Sequence, residues 1–202
     1  MTSLYQQTVP VFTKYLKNLS VILGKGEQWA KQNGKTDEES STRANLVDIG
    51  ACVPTASRDE KRGFHACPCK IVRLTYVKRK LPYQIQSCCN TIKFMLPRIG
   101  GLEDRHFPDD EKTFDELQSR ITTTIDLLAS VPEDAFAGKE NEQVLMESKI
   151  GTFKFTGQSY VSEFTLPNYH FHQASAYCIL RHLGVDVGAM DYLGKETFVK
   201  LD

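Results

Sequence analysis

Apolar positions recur at three- and four-residue spacing over four stretches of this chain, the spacing of amphipathic helices. The first stretch is 8–33, where Val11, Tyr15, Leu19, Ile22 and Leu23 form one stripe. Thr8 is placed to cap it, Pro10 suits its first turn, where a missing N–H costs nothing, and Gly34 suits its end. The second is 82–99. Pro82 opens it, Ile85, Cys89, Ile92 and Leu96 share a face, and Pro97 ends or kinks it. The third is "DEKTFDELQSRITTTIDLLASV", capped by Asp109 or Asp110, with Phe114, Leu117, Ile121, Ile125 and Leu128 as its stripe. The period then changes. Val144, Met146, Phe153 and Phe155 alternate about a turn containing Gly151, which predicts a small hairpin. A fourth helix opens at Thr156, passes through Pro167, which should kink it, and runs to His182, with Gly184 closing it. Four such helices, with one hairpin before the last, predict an all-α fold built as a four-helix bundle.

Residues 49–80, "IGACVPTASRDEKRGFHACPCKIVRLTYVKRK", break this pattern. They have no helical period. Eight Lys and Arg residues stand against Asp59 and Glu60, a local net of 8 − 2 = +6 that leaves −6 for the rest of a neutral chain. Irregular stretches of this length are uncommon inside a compact domain. The segment therefore reads as a basic insertion within a single domain spanning 1–202.

Bulk composition narrows the function classes. The chain has 202 residues, 41% hydrophobic, with 25 basic and 25 acidic side chains. That length suits one domain with a sizeable core. Net neutrality gives no overall case for nucleic acid or membrane as partner. No eighteen-residue apolar run and no secretory leader are evident, so a cytoplasmic protein with reduced thiols is the expectation for its six cysteines. "HACPC" together with Cys52 offers His65, Cys67 and Cys69, but Cys-x-Cys lacks the usual zinc-knuckle spacing.

The run "PNYHFHQASAYCILRH", residues 167–182, holds three of the five histidines. At 100° per residue, His170 and His172 point about 200° apart, and His182 lies about 280° from His172. The three cannot chelate one ion from this helix. His182 with Arg181 suits the negative end of the helix dipole, and His170 is expected at an outward or boundary position. His172 shares a face with Asn168 and Ser175, and the second helix carries Gln86 and Asn90, also four apart. Two polar faces on inward-leaning helices form either a self-satisfied cluster that fixes register or a ligand pocket lined by Gln86, Asn90, Asn168, His172 and Ser175.

"LPNYHFHQASAYCILRHLGVDVGAMDYLG" (166–194) resembles the C-terminal signature of an uncharacterised family within the DinB/YfiT-like superfamily. "SLYQQTVPVFTKYLKNLSVIL", "PYQIQSCCNTIKFMLPRIGG", "DDEKTFDELQSRI" and "FTGQSYVSEFTLPN" resemble its other blocks, in order. The resemblance implies an antiparallel four-helix bundle, often a homodimer. Its wider superfamily holds metalloenzymes, including thiol-dependent transferases and isomerases. These bind a divalent ion through one histidine of the second helix and a His-x-x-x-His pair of the last. On this chain His172 matches the first member of that pair, Ala176 stands at the second, and Gln86 or Gln84 stands near the second-helix position. His172 is thus the one candidate metal ligand, and no cofactor is expected. Members of the resembling family run almost directly from a segment like 44–48 to one like 81–86, so residues 49–80 are either a real basic loop or a translated intron. Two functional readings result: a small-molecule-binding protein or degenerate enzyme, and, as the alternative, a metal-dependent thiol transferase or isomerase using His172. No nucleic-acid or membrane partner is expected.

Overall fold

A computed structural model of the protein describes residues 2–35, 80–199 and 201. Residues 49–79 of the basic segment, and with them His65, Cys52, Cys67 and Cys69, lie outside the described residues.

Helix α1 spans Leu4–Gln32, α2 Leu81–Gly100 and α3 Phe114–Ala129. Strands β1 (Gln143–Ser148) and β2 (Gly151–Thr156) form an antiparallel hairpin, and α4 (Leu166–Leu183) and the short α5 (Ala189–Leu193) follow. The fold is mostly helical. α1 packs along α3, α2 along α4, and α2 also meets α3. Their facing stripes close one core, including Phe12, Leu19, Ile22, Ile85, Ile92, Leu117, Ile121, Tyr169 and Leu180.

Helix starts differ from the predicted ones. α1 begins four residues before Thr8, because Ser3 supplies the cap: its hydroxyl accepts from the Gln6 N–H at 3.2 Å. Leu4, fully buried, makes the extra turn worth forming. Thr8 instead lies inside the helix and donates to the Leu4 carbonyl at 2.6 Å, and Pro10 is an interior residue. α3 is capped by Thr113, not by Asp109 or Asp110. Thr113 and Glu116 form a reciprocal capping box in which each side chain accepts from the other's backbone N–H.

The hairpin pairs Val144 with Phe155 and Met146 with Phe153, so the predicted alternation puts all four on one face. Thr156 caps the turn that leaves it, as predicted, by accepting from Ser159 N–H at 3.1 Å. The chain then makes a π-helical turn, Tyr160–Thr165, directly before Pro167. Pro167 has no N–H to give, and the wide turn places this loss at the start of α4 instead of inside a continuous ladder. Gly184, at φ +96°, ends α4 in the left-handed conformation, and Val185 N–H closes on the Leu180 carbonyl at 3.0 Å.

Gly157 joins the hairpin to this final helical run where the backbone comes closest. Its N–H donates to the Glu142 carbonyl at 3.0 Å, and a Cβ there would run into the Lys139 carbonyl oxygen. Backbone cannot step aside as a flexible side chain can. Gly157→Ala should therefore destabilise the protein by about 2 kcal/mol or more, measured by urea unfolding, although it raises local helix propensity. A neutral or stabilising result would show that this approach is not rigid.

Candidate functional site

Gln84 and Gln86 lie two positions apart on α2, about 200° of helix. They therefore face different neighbours. Gln84 and Thr91, seven residues apart, look toward α4, and three contacts run down that seam. Asn168 Nδ2 donates to Thr91 Oγ1 at 2.8 Å, the Cys88 thiol lies 3.7 Å from the Tyr169 carbonyl, and His172 Nδ1 sits 2.8 Å from Gln84 Oε1. The partners descend α2 as they ascend α4, so these two helices are antiparallel. An amide oxygen only accepts, so Nδ1 of His172 carries the ring proton. The neutral ring then presents a lone pair at Nε2. Tyr83 meets the ring edge-to-face at 5.8 Å and Phe171 at 5.2 Å. Phe171 is 65% exposed, so the site lies at the rim of the seam, not at its centre. Burial lowers the pKa of His172 below its ordinary value, which favours the neutral ring.

Gln86 and Asn90 do not join this cluster. They turn toward the 101–113 connection and the start of α3. Gln86 Nε2 donates to Glu111 Oε2 at 2.9 Å, and Asn90 Nδ2 donates to both Asp109 oxygens at 2.9 and 3.0 Å. Arg120 of α3 sits at the middle of this second cluster, only 5% exposed. It donates to Glu111 at 2.8 Å, Asp109 at 3.0 Å, the Asn90 oxygen at 2.6 Å and the Pro108 carbonyl at 2.9 Å, and stacks 4.6 Å from the centre of Phe107. Sequence patterning missed Arg120, and only its place on the apolar side of α3, between Leu117 and Ile121, signals it. Ser175, the fifth predicted lining residue, is buried and donates to the Phe171 carbonyl at 2.7 Å, a bond within its own helix. The five predicted lining residues thus divide among two clusters and one intrahelical bond.

His170 takes the boundary position, half-buried where α4 meets α1 and α5. Its ring packs edge-to-face on Tyr15 of α1 at 4.6 Å, and Nδ1 lies 3.2 Å from the Tyr192 hydroxyl, so it helps dock α5. Burial lowers its pKa as well. Cys88 and Cys89 are fully buried, and burial raises both thiols, Cys89 to about 11. Burial thus favours the protonated thiol at both. One turn apart on the core face of α4, the Tyr169 hydroxyl and both amide atoms of Gln173 are buried with no hydrogen-bond partner among the described residues. Among those residues no three His, Cys, Asp or Glu side chains gather as metal ligands would. None of their helices is long and apolar enough to cross a membrane.

The sequence profile of a domain of unknown function, DUF1993, matches residues 4–50 and 59–193. The interruption falls within the basic segment. The chain is also similar to the crystal structure of a DinB family member from Shewanella denitrificans. The two are 30% identical, the match covers 95% of this chain and 92% of that one, and the TM-score is 0.73. No curated protein matches the chain.

Two outcomes follow from this geometry. Removing Arg120 strands Glu111, whose side chain is only 11% exposed, so Arg120→Met should cost about 3 kcal/mol or more of unfolding free energy by chemical denaturation. A loss below about 1 kcal/mol would mean that the cluster is solvated instead of buried. The two lowered histidines give a pH dependence. Folding favours their neutral forms, so between the ordinary value near 6.5 and the lower folded values the unfolded chain binds more protons. Their contribution is complete above about pH 6.5 and is lost as pH falls through the folded values. The melting temperature should fall from pH 7 to pH 5, and the His170→Asn, His172→Gln double variant should flatten that slope. An unchanged slope would refute the assignment.

Proposed function

The chain belongs to the DUF1993 family and has a DinB-like fold, and from that premise we propose that it is a small-molecule-binding protein whose site is organised by His172. The observation that supports this reading is the 2.8 Å contact between His172 Nδ1 and Gln84 Oε1. It holds the ring at a fixed tilt and in one tautomer, so that Nε2 can accept a proton or a hydrogen bond from a ligand at the rim. Asn168 stands one turn before it, and Tyr83 and Phe171 supply aromatic walls. A fixed imidazole between aromatic rings suits a small, partly apolar molecule with a hydrogen-bond donor. In the same reading the four long helices form an antiparallel four-helix bundle, with this site at the α2–α4 seam.

The donor set does not fit the divalent ion that a DinB-like fold implies. The resemblance puts the superfamily's three histidine positions near Gln86 or Gln84, at His172 and at Ala176, and of the two glutamines Gln84 is the one that meets His172. Gln84 offers a neutral oxygen already engaged by His172, and Ala176 offers nothing. One imidazole does not make a tight site for zinc, which normally takes three protein ligands. Any chemistry at this seam would use His172 as a base, not a metal.

Histidine-labelled protein, read by 15N NMR, tests the tautomer: His172 should show a protonated Nδ1 and an unprotonated Nε2 above pH 7, and Gln84→Leu should mix the two forms. A fragment screen by thermal shift should then find donor-bearing aromatics that stabilise the wild type and not His172→Phe. Failure of every fragment to discriminate would remove the ligand reading. Metal content after dialysis against chelator should fall far below one equivalent by elemental analysis. An equivalent that survives dialysis and is lost in His172→Ala would establish the metalloenzyme reading in its place.

A further inference from the structure

The core face of α4 presents polarity that the His172 site does not use. Tyr169 and Gln173 are four residues apart, so their side chains lie one above the other and lean toward the helix N-terminus. Both are fully buried, at 0% exposure. Tyr169 packs edge-to-face on Phe12 of α1 at 5.2 Å, and the Cys88 thiol of α2 approaches its carbonyl, so this face looks into the middle of the helices. Three polar atoms there, the phenol oxygen and both amide atoms, have no partner among the described residues. Native interiors pair nearly all such groups, through protein or through an enclosed molecule. An amide with neither oxygen nor nitrogen bonded is a poor choice for a mainly apolar core, where Met fills the same space at no polar cost.

We infer that Gln173 and Tyr169 line an interior binding site that encloses a small neutral molecule able both to donate and to accept hydrogen bonds. The carboxamide offers one acceptor and two donors, and the phenol offers one of each. A neutral guest suits the uncharged groups packed against Tyr169, Phe12 on its ring and the Cys88 thiol at its carbonyl. Two sources share this chemistry. One is enclosed water, which commonly makes about three hydrogen bonds to buried polar groups. The other is a hydroxyl- or carboxamide-bearing metabolite that purifies with the protein. The site does not depend on His172, which points about 100° from Gln173 and about 60° from Tyr169 around the helix, toward Gln84.

Replacement by an apolar isostere separates a filled site from an unfavourable orphan. If nothing is enclosed, Gln173→Met and Tyr169→Phe remove an uncompensated polar group and should raise the melting temperature. If the site is filled, each should lower it, by about 2–4 °C or more, and the double variant should lose less than the sum because the two share one guest. Should Gln173→Met fail to fold, Tyr169→Phe alone decides, since it removes a single oxygen. The occupant is identified on the wild type. Native mass spectrometry showing an adduct that Tyr169→Phe lacks marks a metabolite. No adduct, with long-lived water detected by magnetic relaxation dispersion and lost in that variant, marks water. A rise in melting temperature, or neither occupant, overturns the inference. The His172→Phe variant should keep the guest, so the failure of this proposal and that of the rim site are told apart.

Discussion

Helices α2 and α4 must bury polar side chains against each other, and the way those groups find partners fixes their register. Thr91 with Asn168, Cys88 with the Tyr169 carbonyl, and Gln84 with His172 form three rungs in opposite directions along the two helices. A slip by one residue would turn about 100° of α4 away and strand every rung at once. Apolar neighbours such as Ile85, Ile92 and Leu180 supply the burial but tolerate several registers. The polar rungs select one, and the same selection orients the His172 ring. In this seam the register device and the candidate binding site are one set of side chains.

The Arg120 cluster plays a comparable part on the other side of α2. A guanidinium removed from water needs its charge balanced, and Glu111 and Asp109 balance it from the 101–113 connection. Asn90 accepts from the same guanidinium, and Gln86 donates to Glu111. This connection lacks regular secondary structure, and Arg120 ties it to both helices that it joins. The carboxylates are engaged by Arg120, Gln86 and Asn90.

Much of the fold was legible in the sequence because amphipathic spacing survives without knowledge of the partner. The α2 stripe, the hairpin alternation of Val144 with Met146 and Phe153 with Phe155, the Thr156 cap and the Gly184 stop all appear where predicted. Starts were harder, since several residues compete to cap. Ser3 took α1 from Thr8 because Leu4 could be buried, and Thr113 took α3 from the two aspartates because Glu116 completes a capping box. That second signal, Thr-x-x-Glu, was present in the chain.

Of the candidate site, sequence periodicity by itself determined that His170, His172 and His182 could not bind one ion together, since helix geometry sets their directions whatever packs around them. It also determined that Asn168, His172 and Ser175 share a face. It could not determine which face of α2 meets them. Gln84 and Gln86 are equal candidates as letters, and only the tertiary packing of α2 between α3 and α4 decided that Gln84 meets His172 while Gln86 turns to Glu111. The interior pair, Tyr169 and Gln173, was out of reach for the same reason. Period reports which residues point inward, but whether an inward polar group finds a partner depends on the opposing helices, and those are chosen only when the chain packs.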